Sequence, residues 1–156
     1  MTPAAPDFAL GWRSFAELSP PLLYELLRFR QAIFVVEQGC AYPDLDGRDE
    51  TAHHLLLRVD GALAGCLRLI PVQDEARVTI GRVAVGREYR GGGLARRMMD
   101  EALARCGRDY ADCRVTLSGQ TYLATFYETL GFQPTSAPYD DYGLLHVDMA
   151  LADPKG

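Results

Sequence analysis

Three consecutive glycines, Gly91, Gly92 and Gly93, stand between an apolar run ending at Val85 and a helix-like run beginning at Leu94. Bare backbone where a strand hands over to a helix aims unpaired N–H groups, together with the positive end of the helix dipole, at one point. Such a point binds phosphate. Two phosphate-binding spellings are excluded by position: the dinucleotide fingerprint G-x-G-x-x-G would need glycine where Arg96 stands, and the P-loop would need lysine where Gly92 stands. Between Arg77 and Arg114 nine arginines face five acids, a local charge of +4, whereas seven basic and sixteen acidic residues give the remainder -9, for a total of -5. That segment favours an anion, and a solvated face in an arginine-rich chain is the competing explanation of the same charges. Cys40, His53 and His54 raise the question of a nucleophile pair or a metal, but there is no C-x-x-C and no second ligand pair at the usual separation. Ordinary reduced thiols and no metal are expected.

Those residues must be held by regular elements. Residues 8 to 13 read as a strand. Ser19 followed by Pro20 is a helix start, continued by Leu22, Leu23, Leu26, Leu27, Arg30 and Phe34 at helical spacing. Residues 37 to 50 are rich in Gly, Pro and Asp and read as a surface loop. Asp60-Gly61 is a two-residue hairpin turn between strands 53 to 59 and 62 to 70, and 76 to 85 is the next strand, with alternation placing Arg82 on the face of Val78, Ile80 and Ala84. An amphipathic helix over 92 to 104, a short strand over 114 to 117, a helix from Thr121 to Leu130 ended by Gly131, and a strand over 146 to 151 complete the order. This order predicts an α/β (α+β) architecture: a mixed central sheet of about six to seven strands with helices on both faces. No repeat or linker divides the chain, so residues 1–156 are expected to form one domain with a substantial core, at 48% apolar composition. The acidic balance argues against nucleic acid, and no basic-then-apolar leader or membrane-length apolar run is present, which makes the cytoplasm the expected address.

Arg90-Gly91-Gly92-Gly93-Leu94-Ala95 fits (Gln/Arg)-x-x-Gly-x-(Gly/Ala), and Phe126-Tyr127-Glu128-Thr129-Leu130-Gly131-Phe132 fits F-Y-x-x-x-G-F. Together these resemble the GCN5-related N-acetyltransferase (GNAT) superfamily, and the resemblance covers nearly the entire chain. Phe34 to Gln38 with Cys40, Tyr42, Asp44, Asp46 and Gly47, then Ile80 to Val83 and His146 to Met149, are similar to its ElaA-like branch.

The resemblance implies transfer of an acetyl group from acetyl-CoA to a primary amine by direct transfer in a ternary complex, with coenzyme A as cosubstrate and no metal. It implies splayed strands at the acyl-CoA site, with pantetheine pairing along Val83, Ala84 and Val85 opposite Arg114 to Ser118. Diphosphate would sit on the backbone N–H groups of Gly91, Gly92, Gly93, Leu94, Ala95 and Arg96, with Arg87, Arg90 or Arg97 reaching outer phosphates. Gln120 occupies the place where the superfamily often has a pantetheine-contacting asparagine. Tyr127 takes the position of the general acid, although Leu123, Phe126, Tyr127 and Leu130 also have the spacing of a core face. The backbone N–H of Val83 or a neighbour is the expected oxyanion donor. No glutamate stands within strand 76 to 85, so the base is expected among Glu37, His53, His54 and His146, acting directly or through water; His53 and His54 point to opposite faces. The acidic loop, Asp44, Asp46, Asp49 and Glu50, with Asp140 and Asp141, is expected either to form an entrance for a cationic small-molecule or peptide amine or simply to be solvated. A non-catalytic acyl-CoA-binding or sensing domain on the same fold is the alternative, and the chain is expected to be a monomer or homodimer.

Overall fold

The computed structural model describes residues 2–152. β1 (Phe8–Ser14) leads through a short 3-10 turn to α1 (Pro20–Gln31), whose first turn is capped by the Ser19 side chain accepting from the Leu22 amide. The helix then widens into a π-helical turn, Ala32–Glu37, a local distortion that recurs at functional sites. β2 (His53–Val59), β3 (Ala62–Val72) and β4 (Arg77–Val85) form the meander. Its first turn carries Asp60 and Gly61 at φ 49° and 84°, the double left-handed conformation of a tight hairpin. α2 (Leu94–Asp109), β5 (Arg114–Gln120), α3 (Ala124–Glu128), β6 (Phe132–Pro134), β7 (Tyr139–Asp141) and β8 (Leu144–Leu151) complete the chain.

All eight strands share one sheet in the order β1-β2-β3-β4-β5-β8-β6, with β7 also paired to β8; only β4 and β5 run parallel to each other. Alternation along β2 explains the layers. Leu55 and Leu57 join Met98, Met99 and Ala102 of α2 on one face, while Leu56 joins Leu26 and Ile33 on the other. Helices therefore cover both faces, and each buries an apolar stripe against the sheet.

The strand count exceeds the six to seven expected. β6 and β7 have three residues each, FQP and YDD, too short and too polar to show a period of two. The segment Thr121–Leu130 is likewise not one helix but a 3-10 turn, Thr121–Leu123, followed by the brief α3. Among the described residues no helix is long and apolar enough to cross a membrane.

Candidate functional site

The parallel pairing of β4 with β5 runs from Arg77↔Arg114 to Ile80↔Leu117 and then stops, although β4 continues to Val85 and β5 to Gln120. Thr79 and Thr116 hydroxyls, 3.1 Å apart, mark the last closed stretch. Beyond it β5 remains paired on its other side, Gln120 opposite His146 of β8. A wedge of unpaired backbone thus opens between Val83 and Gln120.

A bulge shapes the β4 side. Two residues, Arg82 and Val83, stand opposite the single Leu67 between Gly81↔Arg68 and Ala84↔Cys66, and Arg82 adopts φ 51°. The extra residue inverts the alternation that follows. Val78 and Ile80 face the α2 core, whereas Ala84 faces α1, and Val83 and Val85 now pack toward α2. The expected common face of Arg82 with Val78, Ile80 and Ala84 is therefore corrected.

The glycine turn follows directly. Gly91 and Gly93 have φ 88° and 79°, and a Cβ built at Gly91, Gly92 or Gly93 would meet nothing within 4 Å. The first helical bond of α2 is from the Arg97 amide to the Gly93 carbonyl at 3.1 Å. The amides of Leu94, Ala95 and Arg96 precede that bond and have no carbonyl four residues back within the helix. This is an open, positively polarised cradle with the chemistry a diphosphate requires.

Two cavities meet beside it. One, of about 550 Å³, runs past Glu37, Val83, Ala84, Val85, Gly91, Gly93, Leu94, Ala95, Arg96 and Tyr127. The other, of about 150 Å³, lies between the ends of β4, β5 and the β7–β8 hairpin and includes Tyr42, Arg82, Ser118, Asp141 and His146. Val83, Gln120 and Tyr127 line both.

Tyr127 is 5% exposed, with its ring against Phe126 and Phe132, and its hydroxyl makes no hydrogen bond to any described residue. Burial pushes its phenol up to about 12. His146 stacks on Tyr139, and its Nδ1 lies 2.9 Å from the Leu144 carbonyl. A carbonyl only accepts, so Nδ1 carries the hydrogen and Nε2 is left as the acceptor of the neutral ring. The Tyr139 hydroxyl donates to Asp148 at 2.6 Å and contacts Ser118 Oγ at 2.5 Å, which fixes the hairpin against β5.

Other expected residues fall elsewhere. Glu37 lines the larger cavity, but Arg90 donates to its carboxylate at 2.7 Å and Arg87 lies 3.5 Å away. Arg90 also donates to the Val85 carbonyl at 2.9 Å, so it braces the glycine turn. Arg97 places its guanidinium over the Phe8 ring, and Arg96 donates to Thr129. His53 faces α2, with Nε2 2.9 Å from the Tyr110 hydroxyl and Arg105 at Nδ1, and lines neither cavity. His54 is buried against the Asp49 carbonyl. Neither histidine lines either cavity.

The acidic loop is also corrected. Arg30 binds Asp44 and Asp49, Arg68 binds Asp49 and Asp46, and Arg82 binds Asp46 and Asp44, which closes a ring of three arginines and three aspartates. Asp44 and Asp49 are 3% and 8% exposed, so they do not form an acidic mouth. Burial alone would raise the Asp46 carboxyl, but the Arg68 hydrogen bonds and the charges of Arg68 and Arg82 hold it well below the usual range. The ring ties the loop to β3 and β4 and holds Arg82 4.7 Å from the centre of the Tyr42 ring. Its signal in sequence was faint: Arg68 interrupts an apolar strand, and an arginine buried there requires carboxylates.

A sheet split after its last parallel pair, with a glycine-rich helix start on one side of the split, defines an acyltransferase architecture. Residues 32–152 match the acetyltransferase (GNAT) domain, and the chain belongs to that family. It falls in the ElaA-like branch: protein ElaA of Escherichia coli is 38% identical over 138 residues, which cover 86% of this chain and 90% of that protein. The crystal structure of Escherichia coli ElaA has a TM-score of 0.88 at 35% identity, covering 94% of this chain and 100% of that one. An acyl-CoA N-acyltransferase from Pseudomonas aeruginosa has a TM-score of 0.86 at 37% identity, covering 95% and 100%.

Proposed function

We propose that the chain moves an acetyl group from acetyl-CoA to a primary amine within a ternary complex. The observation that carries this reading is the position of Tyr127, which lines both the cavity of the glycine cradle and the second, smaller cavity and whose hydroxyl has no hydrogen-bond partner among the described residues. One opening suits the donor and the other the acceptor. Acetyl-CoA supplies an activated acyl carbon with a thiol leaving group.

The residues divide the work as follows. Amides of Gly91 to Arg96 hold the diphosphate, and the stretch of β4 from Val83 to Val85, which no longer pairs with β5, receives pantetheine together with Gln120. The N–H of Val83, re-aimed by the bulge, donates to the oxygen on which negative charge develops. His146 Nε2 takes the proton that the attacking amine gives up, directly or through one water. Tyr127 donates to the departing sulfur, and its raised pKa keeps the phenol protonated throughout the working range. Glu37 acts on Arg90 and Arg87 rather than on the amine.

The test is amine-dependent release of free thiol from acetyl-CoA. Tyr127→Phe is expected to lower kcat on the order of 100-fold while leaving the acetyl-CoA Kd close to that of the parent chain. Unchanged kcat removes the assignment of Tyr127. Binding of acetyl-CoA without any amine-dependent release would instead identify a non-catalytic acyl-CoA-binding domain.

A further inference from the structure

The smaller cavity carries one charge that no described residue neutralises. Arg82 belongs to its wall, but the Arg82 charge is already met by Asp44 at 2.7 Å and Asp46 at 3.3 Å within the ring. Asp141, on the opposite wall, has no hydrogen-bond donor and no cation among the described residues. Its neighbour Asp140 is used differently, accepting from the Gly143 amide at 3.3 Å to close the hairpin turn. A lone carboxylate in a small cleft raises the local preference for a cation. An acceptor amine bound for attack must be neutral and cannot supply that charge itself.

Geometry sets where the second charge must be. In the β7–β8 hairpin Tyr139 pairs with His146 and Asp141 pairs with Leu144, so Asp141 and His146 lie on one face, two strand positions apart. That offset is about 7 Å at the rise of an antiparallel strand. Ile80, Leu117 and Leu144 contribute apolar wall to the same cavity. Its volume of about 150 Å³ matches cavities that hold a benzene-sized group, roughly six heavy atoms.

We infer that the acceptor is a short aliphatic diamine, its reacting nitrogen beside His146 and its second, ammonium nitrogen held by Asp141. This rests on the transferase reading above and adds the acceptor class to it. Four or five methylenes span an offset of that size and suit a cavity of this volume. A zwitterionic amino acid would bring its carboxylate against Asp141, and a peptide lysine would have to thread the rest of its chain past the loop carrying Tyr42.

The experiment compares kcat/KM at saturating acetyl-CoA for 1,4-diaminobutane, 1,5-diaminopentane, n-butylamine and 4-aminobutanoate, read as free thiol. Either diamine should exceed n-butylamine on the order of tenfold, with 4-aminobutanoate the poorest. Asp141→Asn should bring the diamine-to-butylamine ratio down to about unity, the loss appearing in KM for the diamine, while Asp140→Asn keeps the ratio. Equal use of n-butylamine, preference for 4-aminobutanoate, or a ratio that survives Asp141→Asn overturns the diamine assignment and leaves the transferase reading standing. If no amine releases thiol although acetyl-CoA still raises the Tm, the transferase reading itself fails, and the diamine assignment with it.

Discussion

A methyl group added at Gly119 would lie 2.8 Å from Cε2 of Tyr127 and 3.3 Å from a Leu117 methyl. Nothing about the Gly119 backbone demands glycine; the space beside it does, because the Tyr127 ring rests directly on β5. Gly119→Ala is therefore expected to displace the phenol from the junction of the two cavities. Overpacking of this kind costs about 1–3 kcal/mol, and turnover should fall toward the level of Tyr127→Phe with acetyl-CoA affinity largely kept. Wild-type kcat in Gly119→Ala would show that the ring is positioned by something other than this contact. Tyr127 itself was legible through its place in F-Y-x-x-x-G-F. Gly119 was not, since a glycine inside a strand announces close approach without naming what approaches.

At the level of elements, the loop after the π-helical turn has almost no regular structure of its own. Its position comes from the six-residue ion ring, in which Arg30 is 1% exposed and bonded to both Asp44 and Asp49. Removing one partner from a buried ion network leaves charges without compensation, and the cost is about 3 kcal/mol or more. Arg30→Met should lower the urea midpoint accordingly. Because the same loop presents Tyr42 to the smaller cavity, the acceptor KM should rise while the acetyl-CoA Kd, which the proposed function assigns to the glycine cradle on α2, stays close to its original value. A matching loss of both affinities would contradict this division between loop and cradle. The sequence left these aspartates as either an entrance for a cationic amine or a solvated surface, because acidic residues in a Gly/Pro-rich loop are normally exposed. Their partners, at positions 30, 68 and 82, come from three different elements, and only folding brings them within reach.

For the whole molecule, burial holds the two histidines of β2 below their ordinary pKa, His54 against the Asp49 carbonyl and His53 beside Arg105. A lowered folded pKa means that the unfolded chain binds protons more readily, so this contribution is present above the unfolded value of about 6.5 and is lost as pH falls below it. The depressed carboxylates of Asp46 and Asp49 act further down: their contribution is present above the unfolded value of about 4 and is lost as pH falls through the folded value. Stability from urea unfolding should decline in two stages, first below about pH 6.5 and again below about pH 4. A flat profile between pH 7 and pH 5 would mean that neither histidine is held neutral.

Local chemistry in the chain sufficed for the glycine cradle, the Asp60-Gly61 hairpin, the amphipathic α2 and the family, because each depends on residues close together or on motifs with fixed spacing. The tertiary structure alone decided which histidine lines the smaller cavity, that Arg82 begins a bulge, that three aspartates are locked into an ion ring with two of them buried, and that Asp141 has no partner among the described residues. Those outcomes depend on where β4 and β5 part and on which side chains of distant segments meet there. Burial and charge compensation are properties of the packed whole, and no spacing along the chain encodes them.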